Sequence, residues 1–231
     1  MAKLNSDVGI VFPRTDKYLY SLVRPRDRIL ADLEEDAEKN SVPIVGPLVG
    51  NLLSMIAESC NAKKVLEIGT ATGYSGIWLG RTVKKNAGKL TTIDKDPDRR
   101  KVAARSFQRA GLSNSVELLG DDAIELVPRL SRDEKERGTF DIVFLDVGDK
   151  KLYVNLFEPS AELLRVGGYL IADNVLWNGD VAVPSDKSPE TVIIRKFNNI
   201  VYSDARFEPV IVPLRDGVMV ARKVAADAKR K

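Results

Sequence analysis

Acidic residues stand at the ends of several short apolar runs. Asp94 closes KLTTID, Asp121 closes VELLGD, Asp146 closes FDIVFLD and Asp173 closes GYLIAD, while Glu67 lies just inside the end of KVLEIG. Carboxylates gathered at strand ends can accept bonds from hydroxyls, hold a cation or move a proton. An acid that only keeps a loop polar can sit anywhere, and for Asp121 the two readings stand level. The turn after Glu67 reads Gly69-Thr70-Ala71-Thr72-Gly73-Tyr74-Ser75. Gly69 and Gly73 let the backbone turn sharply and approach a ligand, and the helix that follows offers free N–H groups. A dinucleotide site would want G-x-G-x-x-G, but Ala71 and Tyr74 occupy the later glycine positions, so pyrophosphate is disfavoured. Asp94, at the end of the next strand, can accept both hydroxyls of a ribose. Glu67 would repel phosphate and tolerate a cationic ligand. A nucleoside without a long phosphate chain fits these residues better than NAD does; the alternative is a tight turn with no ligand.

These residues need a scaffold that brings strand ends together. Runs at 64–69, 89–94, 116–121, 140–146 and 168–173 have strand length and are rich in Val, Ile and Leu. Helical patterns lie between them, as at 97–110, where Ala103, Phe107 and Ala110 share one face and Pro97 suits a first turn. This alternation predicts an α/β fold with parallel strands and helices on both faces, ligands binding beyond the carboxyl ends of the strands. Runs at 208–214 and 218–224, joined by Arg215-Asp216-Gly217, predict a hairpin and therefore one antiparallel strand near the sheet edge. Two helices are expected at 26–40 and 46–60, the first with Ile29, Leu30, Leu33 and Ala37 as its core stripe.

The chain has 231 residues, within the range of one α/β domain. A single domain is expected: an N-terminal helical segment (1–60) on the ligand side, a core (61–224) and a basic tail (225–231). With 36 Lys plus Arg against 33 Asp plus Glu, no basic excess demands a nucleic-acid or membrane partner. One cysteine, Cys60, and no histidine exclude intrachain disulfides, Cys/His zinc sites and catalysis by imidazole. The N-terminal residues lack the apolar core of a signal peptide and no stretch reads as a membrane span, so a soluble cytoplasmic protein is expected.

In order and interval, VLEIGTATGYS, TTIDKDP, FDIVFLD and ADNVLWNG resemble the class I S-adenosylmethionine-dependent O-methyltransferases of the caffeoyl-CoA and catechol group, over about residues 20–223. The resemblance implies a Rossmann-like fold with a seven-stranded, mostly parallel sheet. It makes Glu67, Gly69 and Ser75 contacts of the cofactor's methionine part, gives Asp94 the ribose, sets Asp122 and Ala123 by the adenine and adds backbone contacts from Val45. Asp146, also on the cofactor side, together with Asp173 and Asn174 would hold a divalent cation. Two carboxylates and an amide are an oxygen-only set, suited to Mg2+, or to Ca2+ or Mn2+, rather than zinc. The acceptor would be a small aromatic with vicinal hydroxyls. The cation would serve as Lewis acid and template, and a lysine as base.

At the base the sequence departs from the family pattern, which sets the lysine three residues after the metal aspartate. Here that position is Asp149, and Lys150 follows it. Alignment on Tyr153 places one inserted residue near Gly148, which makes Lys150 the candidate base and Lys151 a solvent-facing helix start. Asp149 is then a cation or substrate contact, or a helix cap. Trp177 stacks on the acceptor or joins the core, and Arg14, Lys17, Arg24, Arg26 and Arg28 cover the site, bind an acidic substrate group or are solvated. No counterpart of the acidic substrate contact of the catechol branch is visible at 210–215. The resemblance also implies a homodimer. Two rivals stay open: methylation of a hydroxylated tRNA base, which a basic stripe at the entrance would favour, and a cofactor-binding protein that has lost its base.

Overall fold

In the computed structural model, residues 13–226 are described. Expectations that fall on residues 1–12, and on the tail beyond 226, lie outside them. The order of elements is α1 (Pro13–Ser21), α2 (Arg28–Asn40), α3 (Gly46–Ser59), β1 (Lys64–Ile68), α4 (Tyr74–Lys85), β2 (Lys89–Ile93), α5 (Pro97–Arg109), β3 (Val116–Leu119) and α6 (Ala123–Arg132). There follow β4 (Phe140–Leu145), α7 (Lys151–Leu163), β5 (Leu164–Ala172), a 3-10 segment (Trp177–Ala182), α8 (Pro189–Ser203), β6 (Phe207–Val212) and β7 (Val218–Lys223).

The strands form one seven-stranded sheet in the order β3-β2-β1-β4-β5-β7-β6. The β1–β2, β1–β4, β2–β3 and β4–β5 pairs are parallel, and β7 runs antiparallel to both β5 and β6. This is the Rossmann-like sheet expected, with β7 as the reversed strand. Strand order reverses between β1 and β4, where an open α/β sheet leaves a crevice at its carboxyl ends.

Period-two alternation divides the strands between two cores. Leu66 and Ile68 of β1 and Val143 and Leu145 of β4 pack on one face with Leu156, Phe157, Ile194 and Phe197 from α7 and α8. Val65, Ile142 and Phe144 face the other side, against Leu53 of α3, Ile77 and Leu79 of α4 and Phe107 of α5. All of β4 is buried, as a central strand covered on both faces must be. Truncating a side chain such as Phe144 to Ala would cost about 3–5 kcal/mol.

Local signals set the helix starts. Asp27, Asp96 and Asp122 each accept from backbone N–H groups of the first turns of α2, α5 and α6. Several boundaries differ from expectation, among them the starts of α2 and β5. Helix α2 starts at Arg28, because Asp27 caps it in extended conformation, and β5 starts earlier, at Leu164, where it pairs with Phe140 across an irregularity in the β4–β5 register. Helix α1 was not anticipated. Among the described residues no helix is long and apolar enough to cross a membrane.

Candidate active site

The turn after β1 is held at close quarters. Gly69 has φ 108°, and a β-carbon there would lie 1.9 Å from the Asp146 carbonyl oxygen, so glycine lets the end of β1 touch the end of β4. Gly73, at φ 89°, caps α4, and a β-carbon would meet the Phe107 ring at 3.1 Å. Asp94 Oδ2 accepts from the Ala71 N–H at 2.8 Å and Oδ1 from the Asp96 N–H at 2.9 Å. The carboxylate is thereby fixed against the glycine turn, with lone pairs to spare.

Glu67 is fully buried beneath the turn. Its Oε2 accepts from Thr92 Oγ1 at 2.6 Å, so the Thr70 hydroxyl, 2.6 Å from Thr92, is the one that donates to Thr92. Oε1 has no partner. Burial pushes the Glu67 carboxyl up to about 7, against the pull of the neighbouring Ser75 and Thr92 hydroxyls. A buried orphan oxygen that gains from a cationic neighbour suits the amino end of a methionine-like ligand. Asp122 caps α6 by accepting from the Ile124 N–H at 3.1 Å, with Ala123 buried behind it. The adjoining β3 and β2 ends are tied by Asp94 N–H to Leu119 carbonyl at 3.1 Å. Val45 is buried at the start of α3.

The other half of the crevice lies past β4 and β5. The Asp146 N–H donates to the Ile68 carbonyl at 2.9 Å and the Asp173 N–H to the Leu145 carbonyl at 3.1 Å, which seats both acids at adjacent strand ends. Asn174 takes φ 58°, a left-handed conformation asparagine tolerates. The 215–217 loop braces the segment that follows: Val175 N–H donates to the Gly217 carbonyl, Leu176 N–H to the Asp216 carbonyl, and Asn178 N–H to Asp216 Oδ1 at 2.5 Å.

This donor set fits a hard cation. Asp173 is buried and its Oδ1 has no partner. Burial, and then the neighbouring Asp146 charge, raise its carboxyl to about 7. Burial also pushes Asp146 up, against Lys150 and Arg215. A divalent ion would reverse both shifts. Among the described residues no group of three or more His, Cys, Asp or Glu side chains gathers for a metal, so the set depends on the Asn174 amide beside Asp146 and Asp173.

Lys150, rather than Lys151, lies at this site. Lys150 is 5% exposed, and its Nζ donates to Tyr153 Oη at 2.8 Å and to Asn174 Oδ1 at 3.2 Å. Tyr153 is buried, and its hydroxyl reaches the Leu145 carbonyl at 3.1 Å and the Asp173 carbonyl at 2.9 Å. Burial lowers the Lys150 pKa, against the pull of Asp146, Asp173 and Asp216. The stretch between Asp146 and Lys150 is exposed at its middle: Gly148 has open space around it, and exposed Asp149 accepts from the Lys151 N–H at 3.0 Å. Asp149 thus serves the start of α7 from the surface, and Lys151 is exposed.

Several other expectations resolve. Asp121 is exposed and pairs with Arg129 at 3.3 Å. Trp177 is half-buried and packs on the core between β4, α7 and α8. Of the N-terminal basic residues, Arg14, Lys17, Arg24 and Arg28 are exposed, and Arg26 binds Glu34 through Nη2 at 2.6 Å. Glu34 Oε1 in turn accepts from Tyr74 Oη at 2.6 Å, which ties α2 to the glycine-turn helix. Sequence reasoning missed Arg215 and Tyr20. The Arg215 charge opposes the upward pKa shifts of Asp146, Asp173 and Tyr20, and partners so far apart along the chain carry no local signal.

A Rossmann-like sheet with a nucleoside-type turn and a buried carboxylate–lysine cluster defines a class I methyltransferase architecture. An O-methyltransferase family model matches residues 21–224. The chain is 33% identical to a caffeoyl-CoA O-methyltransferase of Stellaria longipes, covering 93% of this chain and 86% of that one. It is 32% identical to a catechol O-methyltransferase of Niastella koreensis, covering 88% and 91%. An O-methyltransferase of Streptomyces achromogenes involved in tomaymycin synthesis, solved with S-adenosylmethionine, superposes with a TM-score of 0.80 at 27% identity, covering 92% and 96%. The protein belongs to this O-methyltransferase family and is an S-adenosylmethionine-dependent enzyme.

Proposed function

We propose that the protein transfers the methyl group of S-adenosylmethionine to one hydroxyl of a small vicinal-diol aromatic of catechol or caffeoyl type, with a divalent cation held by Asp146, Asp173 and Asn174. The observation that carries this reading is the buried amine of Lys150 beside Asn174 and the paired carboxylates. When bound, the cation would stabilise an ionised acceptor oxygen and the sulfonium would present its methyl for displacement.

The chain's own residues supply the rest. The Tyr153 hydroxyl has one proton, directed to the Leu145 or Asp173 carbonyl, so it accepts from Lys150. In its neutral form Lys150 has two N–H donors, for Tyr153 and Asn174, and one lone pair left for the acceptor's proton at Nζ. Burial favours that neutral form. Glu67 and Asp94 orient the donor, and holding donor and acceptor in line accounts for much of the acceleration.

The test is transfer of labelled methyl from S-adenosylmethionine to catechol with Mg2+ or with EDTA. Metal-dependent product that disappears in Asp146→Ala and Asp173→Ala supports the reading. Methylation of undermodified tRNA alone would overturn it in favour of an RNA substrate, and cofactor binding without transfer to any acceptor would leave a binding protein. A homodimer and a cytoplasmic location are further parts of this reading, checked by sedimentation velocity and by fractionation.

A further inference from the structure

The loop joining β6 to β7 carries an arginine where backbone geometry favours glycine. Arg215 has φ 53°, a conformation that costs a non-glycine residue strain. Its side chain is half-buried. Nη1 donates to the Ile44 carbonyl at 2.6 Å, one residue before Val45. A β-carbon on Gly46 would lie 3.2 Å from Nη1 and 3.4 Å from Tyr20 Oη. The guanidinium therefore sits between the start of α3, helix α1 and the loop that braces the 173–178 segment. Its charge reaches Asp146, Asp173 and Asp216, yet no ion pair or carboxylate hydrogen bond joins it to any described residue. A guanidinium has five donors in a planar fork, and the bond to Ile44 uses one of them. The fork matches a carboxylate in bidentate geometry.

We infer that Arg215 selects acceptors by charge, binding an anionic substituent, a carboxylate on the aromatic diol, from the loop that braces the 173–178 segment. The inference rests on the acceptor class proposed above and narrows it to acidic diols. It also accounts for the lack of an acidic substrate contact at 210–215: this part of the chain offers a cation to the acceptor.

The probes are 3,4-dihydroxybenzoate, its methyl ester and catechol, with kcat/KM measured for the wild type, Arg215→Gly and Arg215→Lys. Acid and ester share the ring and the diol and differ in charge, so any general effect of Arg215 on Asp146 and Asp173 cancels in their ratio. Glycine suits the backbone at 215, so this variant is expected to fold. The wild type should prefer the acid over the ester, and the acid-to-ester ratio should fall about tenfold or more in Arg215→Gly, with partial retention in Arg215→Lys, which keeps the charge and loses the fork. A wild-type ratio at or below one, or a ratio unmoved in Arg215→Gly, overturns the inference even if catechol is methylated. No transfer to any of the three by the wild type defeats the proposed function and this inference together.

Discussion

Strand β4 carries an aspartate at each end, and the two live differently. Asp141, at the amino end, is buried and fully engaged. Its Oδ2 accepts from the Lys63 and Lys64 N–H groups at 2.7 and 2.8 Å, and its Oδ1 accepts from Arg165 Nε at 2.6 Å. Asp146, just past the carboxyl end, receives no hydrogen bond on its carboxylate from the described residues, and burial pushes its pKa up. Asp141 staples β4 to the start of β1 and to β5. Asp146, beside Asp173 with its orphan oxygen, would gain from a cation, as the proposed function requires. A buried acid that the fold has satisfied belongs to structure, whereas one it has left short is a place where ligand chemistry completes the molecule.

The contrast predicts opposite failures. Asp146→Ala should lower kcat/KM for catechol about a thousandfold, ~4 kcal/mol of transition-state stabilisation, while its thermal midpoint without ligand stays level or rises. A folded variant retaining a tenth of the activity would break the comparison. Asp141→Ala should do the reverse: about 3 kcal/mol of stability lost in urea unfolding, because Arg165 and two backbone donors are stranded, with activity per folded molecule changed by less than about threefold. Lys150→Met should lower kcat by about a hundredfold, in the range for loss of a general base, with cofactor affinity by calorimetry moved little.

The smallest effect concerns Glu67. A carboxyl raised from its usual value to about 7 in the folded protein binds more protons folded than unfolded. In the ligand-free protein, stability from this group is therefore present at low pH and lost as pH rises between about 4.5 and 7. Glu67→Gln should remove that loss, giving a ligand-free protein about 3 kcal/mol more stable than wild type at pH 8 and equal to it near pH 4. Chemical denaturation at both pH values reads this directly, and equal midpoints at pH 8 would show that Glu67 is not strained by burial.

Much of this was legible in the sequence because the signals are local. The apolar run of β4, the alternation of strands with helices, the hairpin at 215–217 and the acids at strand ends lie within short windows. The choice of Lys150 over Lys151 was also open to a count from Asp146, and in the structure Lys150 is buried beside Asn174 while Lys151 is exposed. What could not be read was which acids are satisfied. Asp121 and Asp146 close similar runs, yet one meets Arg129 in solvent and the other faces Asp173 and Lys150. Asp141 carries no local mark of its role, since its partners come from β5 and the segment before β1. Arg215 was passed over as a turn residue because its reach to Ile44 spans a distance no window covers.

Gly69 works as a gauge block. Because a β-carbon there would strike the carbonyl of Asp146 at 1.9 Å, the glycine turn after β1 and the backbone of Asp146 abut with no side chain between them. Under the proposed function, the spacing between donor and acceptor would thus be machined into main-chain contact, where rotamers cannot blur it, and an added methyl group at position 69 would act as a shim that moves both out of line.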